Sequence, residues 1–509
     1  MSLPDHRSAG VCLHLTSLPG NHGIGELGPS ARRFIDFLAR SGLSIWQFLP
    51  VGPTAYGDSP YQPLSINAGN TLLIDTEALC ALGLLTDAEV ASLTRLPADT
   101  VDFAALIPTK SNLLSLAAAR FPRCASAAMQ QAFGRFCSDN DERWLHDFAL
   151  FQVLKTRHQQ AAWPAWEAKF RDRDAAALAD IARDEKPRID ETKVLQFLFA
   201  EQWQALQRYA HDNGVRLFGD LPIYIALDSV DAWAHRELLL LDDEGHPLQV
   251  AGVPPDYFSA DGQLWGNPIY DWAYQERTGF KWWIGRMQSA IELCDIVRID
   301  HFRGFESYWS VPADAETART GEWCKGPADR IFTAMRAELG TLPIVAEDLG
   351  IITEDVNALR ERQNFPGMKV LQFLLEEPGF SADAIPENCV CYTGTHDNDT
   401  SAGWLATTTV PPGEIKAAIM AATAYPAGAE AKPTAQDLVQ LAFASPARIA
   451  IAPMQDFLNL GTEARFNIPG TTTNNWRWRM RHDALTGELS ATIRGWVSAA
   501  DRCKNAVLQ

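Results

Sequence analysis

Eight short, mainly apolar runs, each about as long as one strand, recur along the chain at 10–16, 45–50, 215–222, 296–300, 343–348, 368–373, 391–397 and 448–454. They are apolar throughout rather than alternating, as parallel strands buried on both faces are. Between many of them lie residues at helical spacing. Phe34, Phe37 and Leu38 precede Gly42, and Trp283, Met287 and Ile291 lead into the fourth run. Ile331, Met335 and Leu339 end at Gly340, while Thr353 before Glu354 and Asp355 reads as a capped helix start. No Gly-rich phosphate loop follows the first strand. The expected fold is α/β, a (β/α)8 TIM barrel rather than a doubly wound sheet.

The rhythm breaks twice. The longest gap, between the second and third strands, holds helical patterns such as Trp144, Phe148 and Phe151, then Leu195, Leu198 and Phe199, and reads as a helical insertion at 75–205. A second insertion, 224–280, is rich in Pro, Gly and aromatics and reads as loop with short strands between strands three and four. Residues 424–436 look like a surface loop. Only 55 residues follow Met454, which leaves no room for an ordinary C-terminal β-domain. One catalytic barrel over 1–509, with large insertions, is the expected organisation.

Charge and cysteine usage narrow the function. With 44 Lys plus Arg against 63 Asp plus Glu, the net charge of -19 repels phosphate backbones and anionic lipid, so neither nucleic acid nor membrane is an expected partner. The nine cysteines are scattered with no C-x-x-C, which fits a reducing compartment and no structural zinc. The N-terminus has no apolar signal core, and no run approaches membrane-spanning length. A soluble cytoplasmic protein acting on a neutral substrate is expected, as a monomer or small homo-oligomer.

In a barrel of this kind, chemistry sits where the strands end. Here the third strand ends at Asp220, the fourth at Arg298 and Asp300, the fifth at Glu347 and Asp348, and the seventh at His396 and Asp397. One such charge is ordinarily a solvated strand end or a helix cap. Four strands delivering acidic groups to one mouth are not explained that way. Paired carboxyls suit glycosidic chemistry, in which an acid protonates the leaving oxygen and a second carboxylate attacks the anomeric carbon or activates water. Arg298, on the same strand face as Asp300, is placed to keep Asp300 ionised. Glu347 follows the apolar run "IVA", where desolvation would hold its proton on. His396 and Asp397 would then meet sugar hydroxyls and a developing positive charge.

Long, ordered blocks carry a family resemblance: "LTSLPGNHGIGELG" (15–28), "QFLPVGPTAYGDSPYQPLSINAGN" (47–70), "GDLPIYIALDSVDAW" (219–233) and "GVPPDYFSADGQLWGNPIYDW" (252–272). They continue with "VRIDHFRGF", "IVAEDLG", "TGTHDNDT" and "FNIPGTTTNNWRWRM". Over nearly its whole length the chain resembles the 4-α-glucanotransferases called amylomaltases or disproportionating enzymes, of the α-amylase clan, in their short bacterial form. The resemblance implies Asp300 as nucleophile, Glu347 as general acid/base and Asp397 as transition-state stabiliser. It also implies assistance from Arg298 and His396 and a sugar contact from Asp220. Glucan-binding roles are expected further for Tyr56, Tyr61, Tyr257, Phe258, Trp265, Asn267, His301 and Asp348.

The implied reaction passes an α-1,4-glucanyl segment from a donor maltodextrin to the 4-hydroxyl of another sugar, through a covalent intermediate and with retention, or closes it into large cyclic glucans. Retention needs carboxyl groups about 5–5.5 Å apart. Transfer also needs water kept out, a task suited to the loop carrying Pro254, Pro255, Tyr257, Phe258 and Trp265. The expected partners are maltooligosaccharides and soluble α-glucans. No metal or cofactor is expected, because "HDNDT" lacks a fixed ligand spacing and "DGQLWGN" lacks the terminal Glu of a calcium loop. The rivals are an α-glucan hydrolase on the same residues, a silent glucan-binding barrel, and a metal-dependent hydrolase. The last would want an H-x-H after the first strand, where only His14 stands.

Overall fold

The computed structural model describes residues 3–54, 58–255, 260–423 and 432–503. Among the described residues twelve strands run in chain order: β1 (Ser8–Cys12), β2 (Ile45–Gln47), β3 (Arg216–Pro222), β4 (Gln249–Val253), β5 (Gln263–Pro268) and β6 (Ile296–Asp300). They continue with β7 (Ser307–Pro312), β8 (Glu322–Lys325), β9 (Ile344–Ala346), β10 (Gly367–Val370), β11 (Cys389–Tyr392) and β12 (Ile449–Pro453). Eight of them form one parallel sheet in the order β10-β11-β12-β1-β2-β3-β6-β9. The Ala346 N–H donates to the Pro366 carbonyl at 2.9 Å, which joins β9 back to β10 and closes the ring. All eight expected strands are present, in the expected order.

The barrel interior is filled by Ile45, Phe218, Ile296, Val345, Met368, Val390, Ile449 and Ile451, with Gly10 among them. A β-carbon on Gly10 would lie 2.8 Å from that of Ile45, so β1 can enter this packed centre only with glycine at that position. The opposite strand faces carry a second apolar layer onto the surrounding helices. Phe34, from the helix Pro29–Ser41, packs edge-on against Trp46 at 5.0 Å. That helix ends at Gly42 in the left-handed conformation, which lets the chain turn back into β2. No full helix separates β10 from β11; the turn Leu371–Leu374 and the short 3-10 piece Ala382–Ala384 take its place.

Between β2 and β3 lie the long helices Phe103–Cys124, Ala127–Asn140, His146–Arg157 and Lys186–Asp212, with shorter ones among them. The last runs through residue 205 and delivers the chain to β3. Its Phe199 and Trp203 stack at 6.1 Å, and Trp203 meets Phe48 at 5.4 Å, so one helix serves both the insertion and the barrel wall. β4 and β5, from the stretch after β3, pair antiparallel with β7 and β8 in the order β5-β4-β7-β8. This small sheet takes strands from both sides of β6, and its later pair, β7 and β8, was not among the expected elements.

The sheet's first and last strands meet along a seam where Ser8 pairs with Ile449 and Cys12 with Pro453. There the buried Arg502 donates to the carbonyls of Ser8 (3.0 Å), Phe443 (2.6 Å) and Ser445 (2.8 Å). Among the described residues no helix is long and apolar enough to cross a membrane.

Candidate active site

A strand steps back to the same face every second residue, so each inward core residue predicts what stands above it. Phe218, Ile296 and Val345 belong to the barrel interior. Two residues further on come Asp220, Arg298 and Glu347, and two beyond Arg298 comes Asp300. The charged mouth is thus the upward continuation of the apolar core. Sheet register sets Asp220 directly opposite Arg298.

Arg298 holds both acids. It donates to Asp220 Oδ2 at 2.6 Å and pairs with Asp300 Oδ1 at 2.7 Å. The Asp220 side chain is fully buried, whereas that of Asp300 is 31% exposed, so Asp300 alone of the three opens to the mouth. Burial pulls the Arg298 guanidinium down, but Asp220 and Asp300 outweigh it and hold it well above the usual arginine value. Burial pushes the Asp220 carboxyl up while Arg298 draws it back. With a guanidinium at 2.6 Å the pair stays ionic.

Glu347 follows β9 immediately, and its own N–H donates to Ile299 O at 3.0 Å. Its carboxyl accepts the N–H of His301 on Oε2 and the N–H of Leu349 on Oε1, both at 2.7 Å. His301 has φ 55°, in the left-handed region, which turns the chain sharply just past Asp300 at the point where its amide meets Glu347. Burial pushes the Glu347 carboxyl up to about 7, with Arg298 and the two amides opposing and Asp300 assisting. A carboxyl so placed holds its proton at near-neutral pH and can give it to a leaving oxygen.

His396 and Asp397 lie beyond β11 on a loop. Asn467 donates to Asp397 Oδ1 at 2.6 Å, Arg465 donates to the Asp397 carbonyl at 2.8 Å, and His396 Nε2 stands 3.3 Å from Asp397 Oδ2. Tyr61 joins the two sides: its ring stacks on His396 at 5.1 Å, and its hydroxyl donates to Asp220 Oδ2 at 2.8 Å. A continuous chain of contacts therefore runs from Asp397 through His396, Tyr61, Asp220 and Arg298 to Asp300.

Other expected residues fall in different places. Trp265 meets the ring of His301, one residue beyond Asp300, edge-on at 4.8 Å. Burial pulls the His301 imidazole down to about 4, so it is neutral at pH 7. Asn267 is largely buried, donating to Ile225 O at 2.9 Å and accepting from Gln62. Asp348 is not brought to the mouth. It accepts the Met368 N–H at 2.6 Å and pairs with Arg360 at 3.2 Å, because neighbouring residues at a strand end point opposite ways. Tyr56, Tyr257 and Phe258 lie outside the described residues. Asn467, Arg465 and Trp476, whose ring lies 6.0 Å from Tyr61, join the site unexpected from the sequence; all three sit in or beside the block "FNIPGTTTNNWRWRM".

Among the described residues no group of three or more His, Cys, Asp or Glu could hold a metal ion. What the mouth offers is an accessible, ion-paired carboxylate, a buried carboxyl that keeps its proton, and a third carboxylate fixed by the Asn467 side chain, with Arg465 holding its backbone carbonyl. That set suits acid-assisted displacement at an acetal carbon.

Comparison with known proteins agrees in both sequence and shape. A family model described as 4-alpha-glucanotransferase matches residues 13–486. The 4-alpha-glucanotransferase of Thermus thermophilus is 43% identical over 508 residues, covering 99% of this chain and 100% of that protein. A chloroplastic/amyloplastic 4-alpha-glucanotransferase of Solanum tuberosum is 42% identical over 96% of this chain and 85% of that one. The solved amylomaltase from Streptococcus agalactiae, in complex with acarbose, superposes with a TM-score of 0.91 at 37% identity, covering 98% of this chain and 100% of that one.

Proposed function

The chain belongs to the 4-alpha-glucanotransferase family, and on that premise we propose that its mouth transfers a glucanyl segment by two successive displacements, with Asp300, Glu347 and Asp397 as the catalytic residues. It is an enzyme acting on α-1,4-glucans. In the first step an Asp300 oxygen bonds to the anomeric carbon as the glycosidic C–O bond breaks, and Glu347 gives its proton to the departing oxygen. In the second, the 4-hydroxyl of an acceptor bonds to that carbon, its proton goes to the Glu347 carboxylate, and Asp300 leaves. Two inversions give net retention. When the acceptor hydroxyl belongs to the far end of the same segment, the product is a cyclic glucan.

The observation that carries this reading is the contrast between two carboxyls in one mouth. Asp300 is partly open to solvent and bound to Arg298, whereas Glu347 is buried and holds its proton up to about pH 7. Asp397, fixed by Asn467, would face the positive charge that develops on the sugar ring. Asp220 has no exposed side-chain surface, so its part is to hold Arg298 and Tyr61 rather than to touch sugar. Maltooligosaccharides and soluble α-glucans are the substrates this reading requires, and an acarbose complex of a similar amylomaltase supports a saccharide ligand.

Incubation of the pure protein with maltotriose, followed by chromatography and a free-glucose assay, tests it. Longer maltodextrins accumulating alongside glucose are the expected result. Glucose and maltose alone would make water the acceptor, and an unchanged substrate would leave a binding protein.

A further inference from the structure

The small antiparallel sheet carries an aromatic feature that the transfer chemistry does not use. Trp323, on the edge strand β8, is 43% exposed, and Ile351, in the loop that begins at Glu347, is 53% exposed. Single exposed hydrophobics are ordinary. This one is rigidly mounted. Trp323 pairs across the strands with Trp309 at 5.2 Å, and Trp309 is fixed by its indole N–H to Ala318 O at 2.8 Å. Gly321 leaves the room for that packing, since a β-carbon there would sit 2.3 Å from the Trp309 indole nitrogen.

The Arg303 guanidinium lies 3.9 Å from the Trp323 ring centroid. Arg303 is itself 5% exposed, donates to the Ile351 carbonyl, and stands near enough to Glu347 for their charges to interact. One buried guanidinium therefore couples the exposed indole to the loop of the general acid.

We propose that Trp323 and Ile351 form a stacking platform for glucose units of the acceptor glucan, and that it gives the enzyme a preference for long acceptors. The proposal rests on the transfer reading above. Glu347 must reach the oxygen between the transferred segment and the group that leaves. Sugar units beyond that oxygen, on the Glu347 side, belong to the leaving fragment and then to the acceptor that replaces it. The apolar C–H face of a glucose unit matches an exposed indole fixed in place by Trp309 and Arg303, and a neutral chain meets no repulsion from a protein of net charge -19. The platform is continuous with the mouth through Arg303 and the 347–351 loop, so an extended chain leaving the reaction centre can pass over it.

The test uses maltotriosyl fluoride as donor, so that the acceptor side is empty until the acceptor arrives, with glucose or maltotetraose as acceptor. In Trp323→Ala the ratio of kcat/KM for maltotetraose over that for glucose is expected to fall roughly tenfold, and in Trp323→Phe to stay near wild type. Both acceptors falling in parallel would assign Trp323 a purely structural role, and an unchanged ratio would leave it no sugar contact; either overturns the proposal. Sedimentation showing wild-type self-association that Trp323→Ala abolishes would give the patch to a second copy of the chain. A wild-type protein that transfers to neither acceptor would overturn the transfer reading first, and this proposal with it.

Discussion

On the β3–β6–β9 side of the mouth each charged group is the upper end of an inward-facing strand row; on the β11 side His396 and Asp397 lie beyond the strand, on a loop that other loops hold. The first side is positioned by sheet register: Asp220 lies opposite Arg298, and Glu347 is tied by its N–H to the strand that carries Asp300. The second depends on a few side chains, above all Asn467, which reaches Asp397 from 70 residues further along the chain. Strand-held groups inherit the rigidity of a closed barrel, so changing one alters chemistry while its geometry survives. Loop-held groups can be displaced by a remote substitution that leaves the barrel intact.

The largest effect should come from the strand-held side. Asp300→Asn removes the attacking carboxylate and is expected to lower maltotriose turnover by about 10⁴-fold or more. An unchanged circular dichroism spectrum would show that the barrel survived, and near-normal turnover would undo the assignment. Glu347→Gln comes next, with an expected loss of roughly 10²–10⁴-fold. The native Glu347 keeps its proton above the usual carboxyl range, so the acid form is depleted as pH rises through about 7. The kcat/KM of the wild type should fall on that side, and the Gln variant should lose this limb. By the same sign, whatever stability the protonated Glu347 contributes is present at low pH and lost as pH rises through about 7.

Asn467→Ala sharpens the comparison. It removes a hydrogen bond to a charged group, worth about 1.5–3 kcal/mol, and should cut kcat by roughly 10–100-fold. Unfolding in urea should move little, because the barrel register is untouched; a large stability loss would put Asn467 in the framework rather than in positioning. Tyr61→Phe should be the mildest change. It keeps the ring stacked on His396 and loses the hydroxyl donated to the Asp220 carboxylate, which Arg298 still holds, for an effect of a few-fold.

The same division explains what could be read from the residues alone. Parallel strands covered on both faces are apolar runs, and all eight stand out as such. Their ends do not, because apolar content says nothing about where ladder hydrogen bonds stop. The run expected at 10–16 stops being strand at Cys12 and becomes a 3-10 turn at Leu15–Ser17; the run at 368–373 becomes helical at Leu371. Asp300 and Glu347 were visible as charges closing apolar rows. Asp348 shares their place at a strand end, but strand alternation turns it the other way, toward Arg360. Asn467 carries no charge, and the block that holds it says nothing of a partner 70 residues away, so only the folded chain pairs it with Asp397. Strands β7 and β8, "SYWSVP" and "EWCK", mix polar and apolar residues and lack the apolar continuity that marked the barrel strands.

The seam between β1 and β12, sealed by Arg502, has a consequence for how the protein is made. Strand β1 is paired on one side by β2, made soon after it, and on the other by a strand that begins at Ile449. At translation rates of about 5–20 residues per second, that second edge stays open for on the order of 20–90 seconds. The nascent chain carries an unsealed sheet edge from the making of β1 until β12 has been made, and cooperative closure must wait for that strand. Holding that edge safe is a task for chaperones or for the helices that fold ahead of it. A slow stretch of translation just before β12 would lengthen the hazard, whereas one just after it would not.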